Sequence, residues 1–195
     1  ISLLKKKKPL TTKELQEYVI ESLPGVGPSI SKSLLTKFKT IKKVIKGTCC
    51  FVAGTQVLTE SGYKNIEDVA LGENLWAKNV ETGEQDWKPV TRIFVEPNRG
   101  IYTINLVGQD DFKQKIEATD DHPFYVIGKG WRTTIELISG DRIETDGNGA
   151  MVVTSVIDQH RQDLTYNFTV ADFHTYYVTK RNVLVHNCGK SRNKP

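Results

Sequence analysis

The sequence predicts a mainly β domain with a small α-helical module in front of it, and three observations point that way. Apolar residues recur at helical spacing only ahead of Gly47. Beyond it come short runs of Val, Ile, Thr and aromatic residues broken by glycine. The β part also repeats itself at an offset of 68 residues. Charge divides near the same boundary: residues 1–48 carry eleven lysines against Glu14, Glu17 and Glu21, whereas residues 49–195 carry 16 basic and 20 acidic side chains.

The helical expectation covers residues 11–45. Leu15, Val19, Ile20 and Leu23 define one apolar stripe, and Ile30, Leu34, Leu35 and Phe38 define a second. Between them lies Leu23-Pro24-Gly25-Val26-Gly27-Pro28, a tight connection suited to glycine backbone. Thr11 or Thr12 can cap the first helix, and Ser29 lies near the start of the second.

The β expectation rests on the repeat. Gly62-Tyr63-Lys64 followed by Gly72-Glu73-Asn74-Leu75 has a twin in Gly130-Trp131-Arg132 followed by Gly140-Asp141-Arg142-Ile143. Upstream, Val57-Leu58 matches Tyr125-Val126 at the same offset. Two such units predict a pseudo-two-fold fold in which each half covers the apolar face of the other.

Composition narrows the function classes. Hydrophobic residues at 38% and charged residues at 26% fit a globular chain. No apolar run approaches the roughly 18 residues of a membrane helix, so no membrane partner is expected. The lysine-rich start has no apolar signal core, which reads as a fragment or processed chain with a cytoplasmic expectation. Three cysteines make no disulfide framework: Cys49 and Cys50 are neighbours, and Cys188 is far away. No C-x2-C or H-x3-H spacing occurs, so neither a metal nor any other cofactor is expected.

The chemistry-bearing segments come in a fixed order. Cys50-Phe51-Val52-Ala53-Gly54-Thr55 opens the β part, and Thr119-Asp120-Asp121-His122-Pro123-Phe124 stands in its middle. Tyr166-Asn167-Phe168-Thr169-Val170, Asp172-Phe173-His174-Thr175-Tyr176 and Val183-Leu184-Val185-His186-Asn187-Cys188 close it. This ordered set resembles the Hint superfamily of inteins and hedgehog autoprocessing domains, and most of all the bacterial intein-like (BIL) and mini-intein domains, over residues 50–188. The resemblance implies a horseshoe-shaped pseudo-two-fold β fold and an autocatalytic, single-turnover activity on the chain's own flanking segments.

A thiol can attack the carbonyl of the peptide bond just before it and turn an amide into a thioester. The resemblance assigns that attack to Cys50, with His122 protonating the amide nitrogen and Thr119 holding the scissile peptide. Cys188 would then take the acyl group. Asn187 would cyclise on its own main-chain carbonyl, aided by His186 and His174, and release the downstream segment. The resulting organisation is a flanking segment at 1–48, an autoprocessing domain at 49–187 and a short tail at 188–195. There is no room for a homing endonuclease. Cleavage without ligation is the neighbouring alternative. Hedgehog-type sterol transfer does not need the Asn187-Cys188 pair.

Two features depart from the family pattern. Many inteins carry an aspartate where Asn167 stands, which predicts some uncoupling of the two cleavages. Cys49, directly ahead of the expected nucleophile, can compete as attacker, exchange with the thioester, or form a disulfide with Cys188 that locks the reaction.

The stretch from Glu21 to Lys32 resembles a helix-hairpin-helix motif, most like that at the tail of the archaeal XPF and Hef nuclease-helicases. Such hairpins grip a phosphate by backbone N–H groups, independently of sequence. The resemblance implies weak DNA binding through Gly25, Gly27 and Lys32, with the chain as a monomer. A plain DNA-binding protein is therefore the reading from a different class.

Overall fold

The structure, a computed structural model, describes residues 49–187 together with Ser29 and Lys32. The chain divides into two compact units, residues 1–47 and residues 48–195. The helix-hairpin-helix expectation, Gly25 and Gly27 included, lies outside the described residues, as does Cys188. Lys32 is described and is exposed.

The described part is built from strands. In chain order they are β1 (Phe51–Val52), β2 (Gln56–Thr59), β3 (Gly62–Asn65), β4 (Asn74–Lys78), β5 (Gln85–Val107) and β6 (Lys113–Thr119), then β7 (Pro123–Val126), β8 (Gly130–Thr133), β9 (Arg142–Glu144), β10 (Ala150–Val170), β11 (Thr175–Val178) and β12 (Val183–His186). They hydrogen-bond into one sheet, ordered β11-β12-β7-β9-β10-β1-β6-β5-β4-β2-β3, with β8 on β7 and closing pairings of β11 with β2 and β10 with β5.

The repeat read from the sequence is a repeat in space, with one correction: the strand register sets Val57-Leu58 against Phe124-Tyr125, not Tyr125-Val126, because the turn of the second hairpin is one residue longer. Hairpin β2–β3 matches β7–β8, and a single 3-10 turn follows each, at Ile66–Asp68 and Thr134–Glu136. Gly72 and Gly140 both take positive φ, at 84° and 92°, where a side chain is strained. Their N–H groups donate to Val90 O at 2.8 Å and Val153 O at 2.9 Å. In each half the next residue closes the same loop, with Val90 N–H donating to Glu73 O and Val153 N–H to Asp141 O, both at 2.8 Å.

The short runs expected from the sequence are in two places long strands. β5 spans 23 residues and β10 spans 21, and they pair antiparallel along most of their length. Pro89 and Pro97 punctuate β5 without ending it. Pro97 falls opposite the register shift between Asp163 and Thr165, where its missing N–H costs no ladder bond.

The core sits where the two halves meet, around Phe51, Leu75, Phe124, Ile143, Phe168 and Tyr176. Each such side chain contributes about 1.5–3 kcal/mol on burial. β1 is clamped between β10, with Phe51 opposite Tyr166, and β6, with Phe51 opposite Ala118. β12 lies between β11 and β7. The two ends of the β domain are thus drawn into its interior rather than left at its edges.

Candidate active site

Cys50 immediately precedes β1 and is buried, as is Cys49. Cys49 is disulfide-bonded, and Cys50 carries the thiol. The peptide between them is held at both polar atoms. The Cys50 N–H donates to Thr119 Oγ1 at 2.9 Å, and Asn167 Nδ2 donates to Cys49 O at 2.5 Å. Thr119 stands at the end of β6, where its own N–H donates to Cys50 O at 2.9 Å. Its hydroxyl proton goes to Asp121 Oδ1 at 2.8 Å, so Oγ1 can only accept from Cys50. Asp121 in turn receives Arg99 Nη2 at 3.1 Å, a link between β5 and the turn after β6.

His122 lies in that same turn. Its N–H donates to Thr119 O at 3.3 Å, and its carbonyl accepts from Thr134 N–H at 2.9 Å. The 3-10 turn beginning at Thr134 is itself fastened by a capping box between Thr133 and Glu136. The imidazole is fully buried, 3.9 Å centroid to centroid from Phe51 and 5.5 Å from Phe124. Neither ring nitrogen completes a hydrogen bond; the Cys49 backbone favours the protonated ring but falls short of bonding geometry. Burial, reinforced by the nearby His186, pushes the ring's pKa well below its usual 6.5, so the resting imidazole is neutral. Leaving two buried ring nitrogens without a protein hydrogen bond costs stability, as expected of a group kept for a passing proton.

The downstream end is assembled by hairpin β11–β12, which sets Thr175 opposite His186. One step further, the Asn187 N–H donates to His174 O at 2.9 Å. His174 takes positive φ, 56°, in an exposed turn, an outlier for a residue other than glycine. Asn187 is buried; its Nδ2 donates to Val170 O at 3.0 Å and lies 3.4 Å from His174 Nδ1, while its Oδ1 has no donor. His186 Nδ1 meets Asn187 O at 2.5 Å, which requires the proton on Nδ1. Burial lowers the His186 pKa; the bond to Asn187 pulls it back up and His174 pushes it down again. Its ring packs edge-on against Trp131 at 4.9 Å.

The residues singled out in the sequence therefore fall into two neighbouring groups: Cys50, Thr119 and His122 at the upstream junction, and His174, His186 and Asn187 at the downstream one, with His186 close enough to act on His122. Cys188 is outside the described residues. Sequence reasoning did not find the Asp121–Arg99 link behind Thr119, the hydroxyl of Tyr176 behind Asn167, or the Val170 carbonyl under Asn187. Asp121 had a local signal, a carboxylate two residues from Thr119. Arg99, 22 residues away from Asp121, had none. Among the described residues, no three His, Cys, Asp or Glu side chains gather to hold a metal ion.

The comparisons agree with this architecture. The solution structure of a bacterial intein-like domain from Clostridium thermocellum is 35% identical, with a TM-score of 0.62, over 71% of this chain and 98% of that one. A DnaB intein from Synechocystis sp. PCC 6803 is 20% identical with a TM-score of 0.62, over 72% of this chain and 99% of that one. The gp41-1 intein is 20% identical with a TM-score of 0.59, over 72% of this chain and 100% of that one. At such identities the two inteins show a shared fold. No curated protein matches the chain. The pretoxin HINT domain profile matches residues 56–188. Fold, repeat and profile together place the chain in the pretoxin HINT domain family, within the wider group of Hint and intein-like domains.

Proposed function

We propose that this Hint domain excises itself from the polypeptide in a single turnover, joining the segment before Cys50 to the segment that begins at Cys188. The Cys50 thiol attacks the Cys49 carbonyl carbon; the new C–S bond replaces the C–N bond, and the thiol proton ends on the released amine. Neutral His122 is suited to carry that proton, because its depressed pKa makes the imidazolium a strong acid toward the leaving nitrogen. Once an external thiol has reduced the Cys49 disulfide, the freed Cys188 thiol displaces Cys50 from the thioester, and the Cys50 sulfur takes up the Cys188 proton. Asn187 Nδ2 attacks its own carbonyl carbon, closing a succinimide and expelling the Cys188 nitrogen. His186 supports this step by donating to the Asn187 oxygen. An S-to-N shift at Cys188 leaves an ordinary peptide bond.

The observation that carries the reading is the two-sided hold on one buried peptide, Thr119 on its nitrogen and Asn167 on its oxygen. A structural peptide in a strand is bonded by other backbone groups. Here both partners are side chains, from β6 and β10. Intact mass analysis of freshly expressed chain tests the reading. Excision of residues 50–187 with ligation of residues 1–49 to residues 188–195 supports it. Unjoined fragments mean cleavage alone, and a stable uncut chain under reducing conditions argues against self-processing.

A further inference from the structure

We propose that Asn167 is a catalytic hydrogen-bond donor to the oxygen of the Cys49 carbonyl as it becomes an oxyanion, and that the Tyr176 hydroxyl is the positioning residue that holds the Asn167 amide in the donating orientation. The proposal deepens the reading of Cys50 as the upstream nucleophile and rests on it.

The orientation of the amide follows from its three neighbours. The Phe168 N–H, which can only donate, lies 2.7 Å from one end of the carboxamide, so that end is Oδ1. The Tyr176 hydroxyl lies 2.6 Å from the same oxygen and donates to it. The Cys49 carbonyl, which can only accept, faces the other end at 2.5 Å, so that end is Nδ2. All these groups are buried. Burial and the nearby Cys50 raise the Tyr176 pKa well above its usual 10, so the hydroxyl remains a donor throughout the working range. The ring is wedged among Phe168 at 5.7 Å and Phe51 at 6.5 Å, which fixes where its hydroxyl points.

In the step itself, the Cys50 sulfur adds to the Cys49 carbonyl carbon and the π electrons move onto the oxygen. Asn167 Nδ2–H meets that growing charge. As the C=O reforms, the Cys50 nitrogen leaves with its electron pair and takes the proton the thiol gave up. An ionised aspartate at this position has no donor to offer and sets a negative charge against the same oxygen. Asn167 is thus a working residue here, rather than a weakened form of the aspartate many inteins carry.

The test uses the full chain with Asn187→Ala, in which added dithiothreitol reports the thioester as a thiol-dependent cut between Cys49 and Cys50. Asn167→Ala is expected to slow the cut about 100-fold, and Tyr176→Phe, which keeps the ring, about tenfold. The double variant is expected to be no slower than Asn167→Ala, and Asn167→Asp not to restore the rate. A second readout needs no turnover. In a Cys50→Ala chain carrying cysteine labelled with carbon-13 at the carbonyl, the Cys49 band, assigned by its loss in Cys49→Ala, should rise in infrared frequency in Asn167→Ala and part of the way in Tyr176→Phe. An unchanged rate and band in Tyr176→Phe, or additive losses in the double variant, overturn the proposal. An absence of any thiol-dependent cut in the parent overturns the reading of Cys50 and the proposal with it, so the parent's own rate separates the two failures.

Discussion

Asn167 and Val170 stand three residues apart on β10; the first holds the peptide oxygen at the upstream junction, and the second holds the side-chain amide of Asn187 at the downstream one. The Asn167 amide reaches Cys49 O at 2.5 Å, and the Val170 carbonyl accepts from Asn187 Nδ2 at 3.0 Å. Along an extended strand three residues span roughly 10 Å. One strand therefore sets the spacing between the upstream and downstream chemistry. The register shift between Thr169 and Val170 falls inside this interval, where it can tune which way each group faces.

Separating the two ends by substitution follows directly. Asn187→Ala is expected to stop release at the downstream end while a thiol-dependent cut ahead of Cys50 persists. Cys50→Ala is expected to abolish upstream cleavage and permit asparagine cyclisation. Cys49→Ala should leave the upstream cut in place, because the short bonds from Thr119 and Asn167 are to the peptide backbone, and the Asn167 Nδ2 contact with the Cys49 sulfur is the longer one, at 3.7 Å. Mass spectra of the three variants check this; loss of the upstream cut in Cys49→Ala alone would shift the nucleophile by one residue.

Thr119→Val removes the hydroxyl that accepts the Cys50 N–H, at nearly constant volume. The upstream rate should fall between about 10-fold and 100-fold, with Thr119→Ser recovering most of it. Asp121→Asn should produce a smaller loss, since it frees the Thr119 hydroxyl to reorient without removing it. Rates of dithiothreitol-trapped cleavage order the three variants.

Stability should fall in mild acid. The folded His122 pKa lies below its ordinary value, so the unfolded chain binds the extra proton, and the stabilisation is complete only above about pH 6.5. As pH drops from there toward the folded value, each such histidine subtracts up to about 1.4 kcal/mol per pH unit. His186 shifts in the same direction and adds to the slope. Urea midpoints of a Cys50→Ala, Asn187→Ala chain between about pH 7 and pH 5 should show this decline, and His122→Gln should flatten it. A steeper decline in His122→Gln contradicts the assignment.

The matched glycines offer a test of the repeat. A Cβ added at Gly72 or Gly140 meets no atom within 4 Å, so the cost is conformational alone, set by φ values of 84° and 92°. Gly72→Ala and Gly140→Ala should each destabilise by about 1–2 kcal/mol, and by similar amounts. Thermal or urea unfolding of the two variants decides it; a neutral change at either site breaks the equivalence.

The parts of this molecule legible in the sequence are those with short-range signatures. Glycines ten residues apart, twice, mark turns that only positive φ permits, and from them the pseudo-two-fold arrangement follows. Thr119, His122, His186 and Asn187 could be picked out because the short blocks that hold them resemble, in order, those of the Hint superfamily. The long arms were not legible, since glycine-broken runs read as short strands, whereas β5 continues through Gly100 and absorbs Pro97 at a register shift. Nor were the supports. Asn167 lies 118 residues from Cys49, and nothing local says that an amide there would meet that carbonyl. Tyr176 stands in the same block as His174 in the sequence, and its hydroxyl acquires meaning only when it meets Asn167 of β10.

The doubled architecture carries one more consequence. Thr55 occupies in the first half the turn that His122 occupies in the second: its N–H donates to Val52 O at 3.4 Å as His122 N–H does to Thr119 O at 3.3 Å, and its carbonyl accepts from Ile66 N–H at 2.8 Å as His122 O does from Thr134 N–H at 2.9 Å. The molecule therefore contains its own blank, the same loop shape with a small hydroxyl in place of the imidazole. Whatever a perturbation does at Thr55 measures the architecture alone, and subtracting it from the effect at His122 isolates what the imidazole adds.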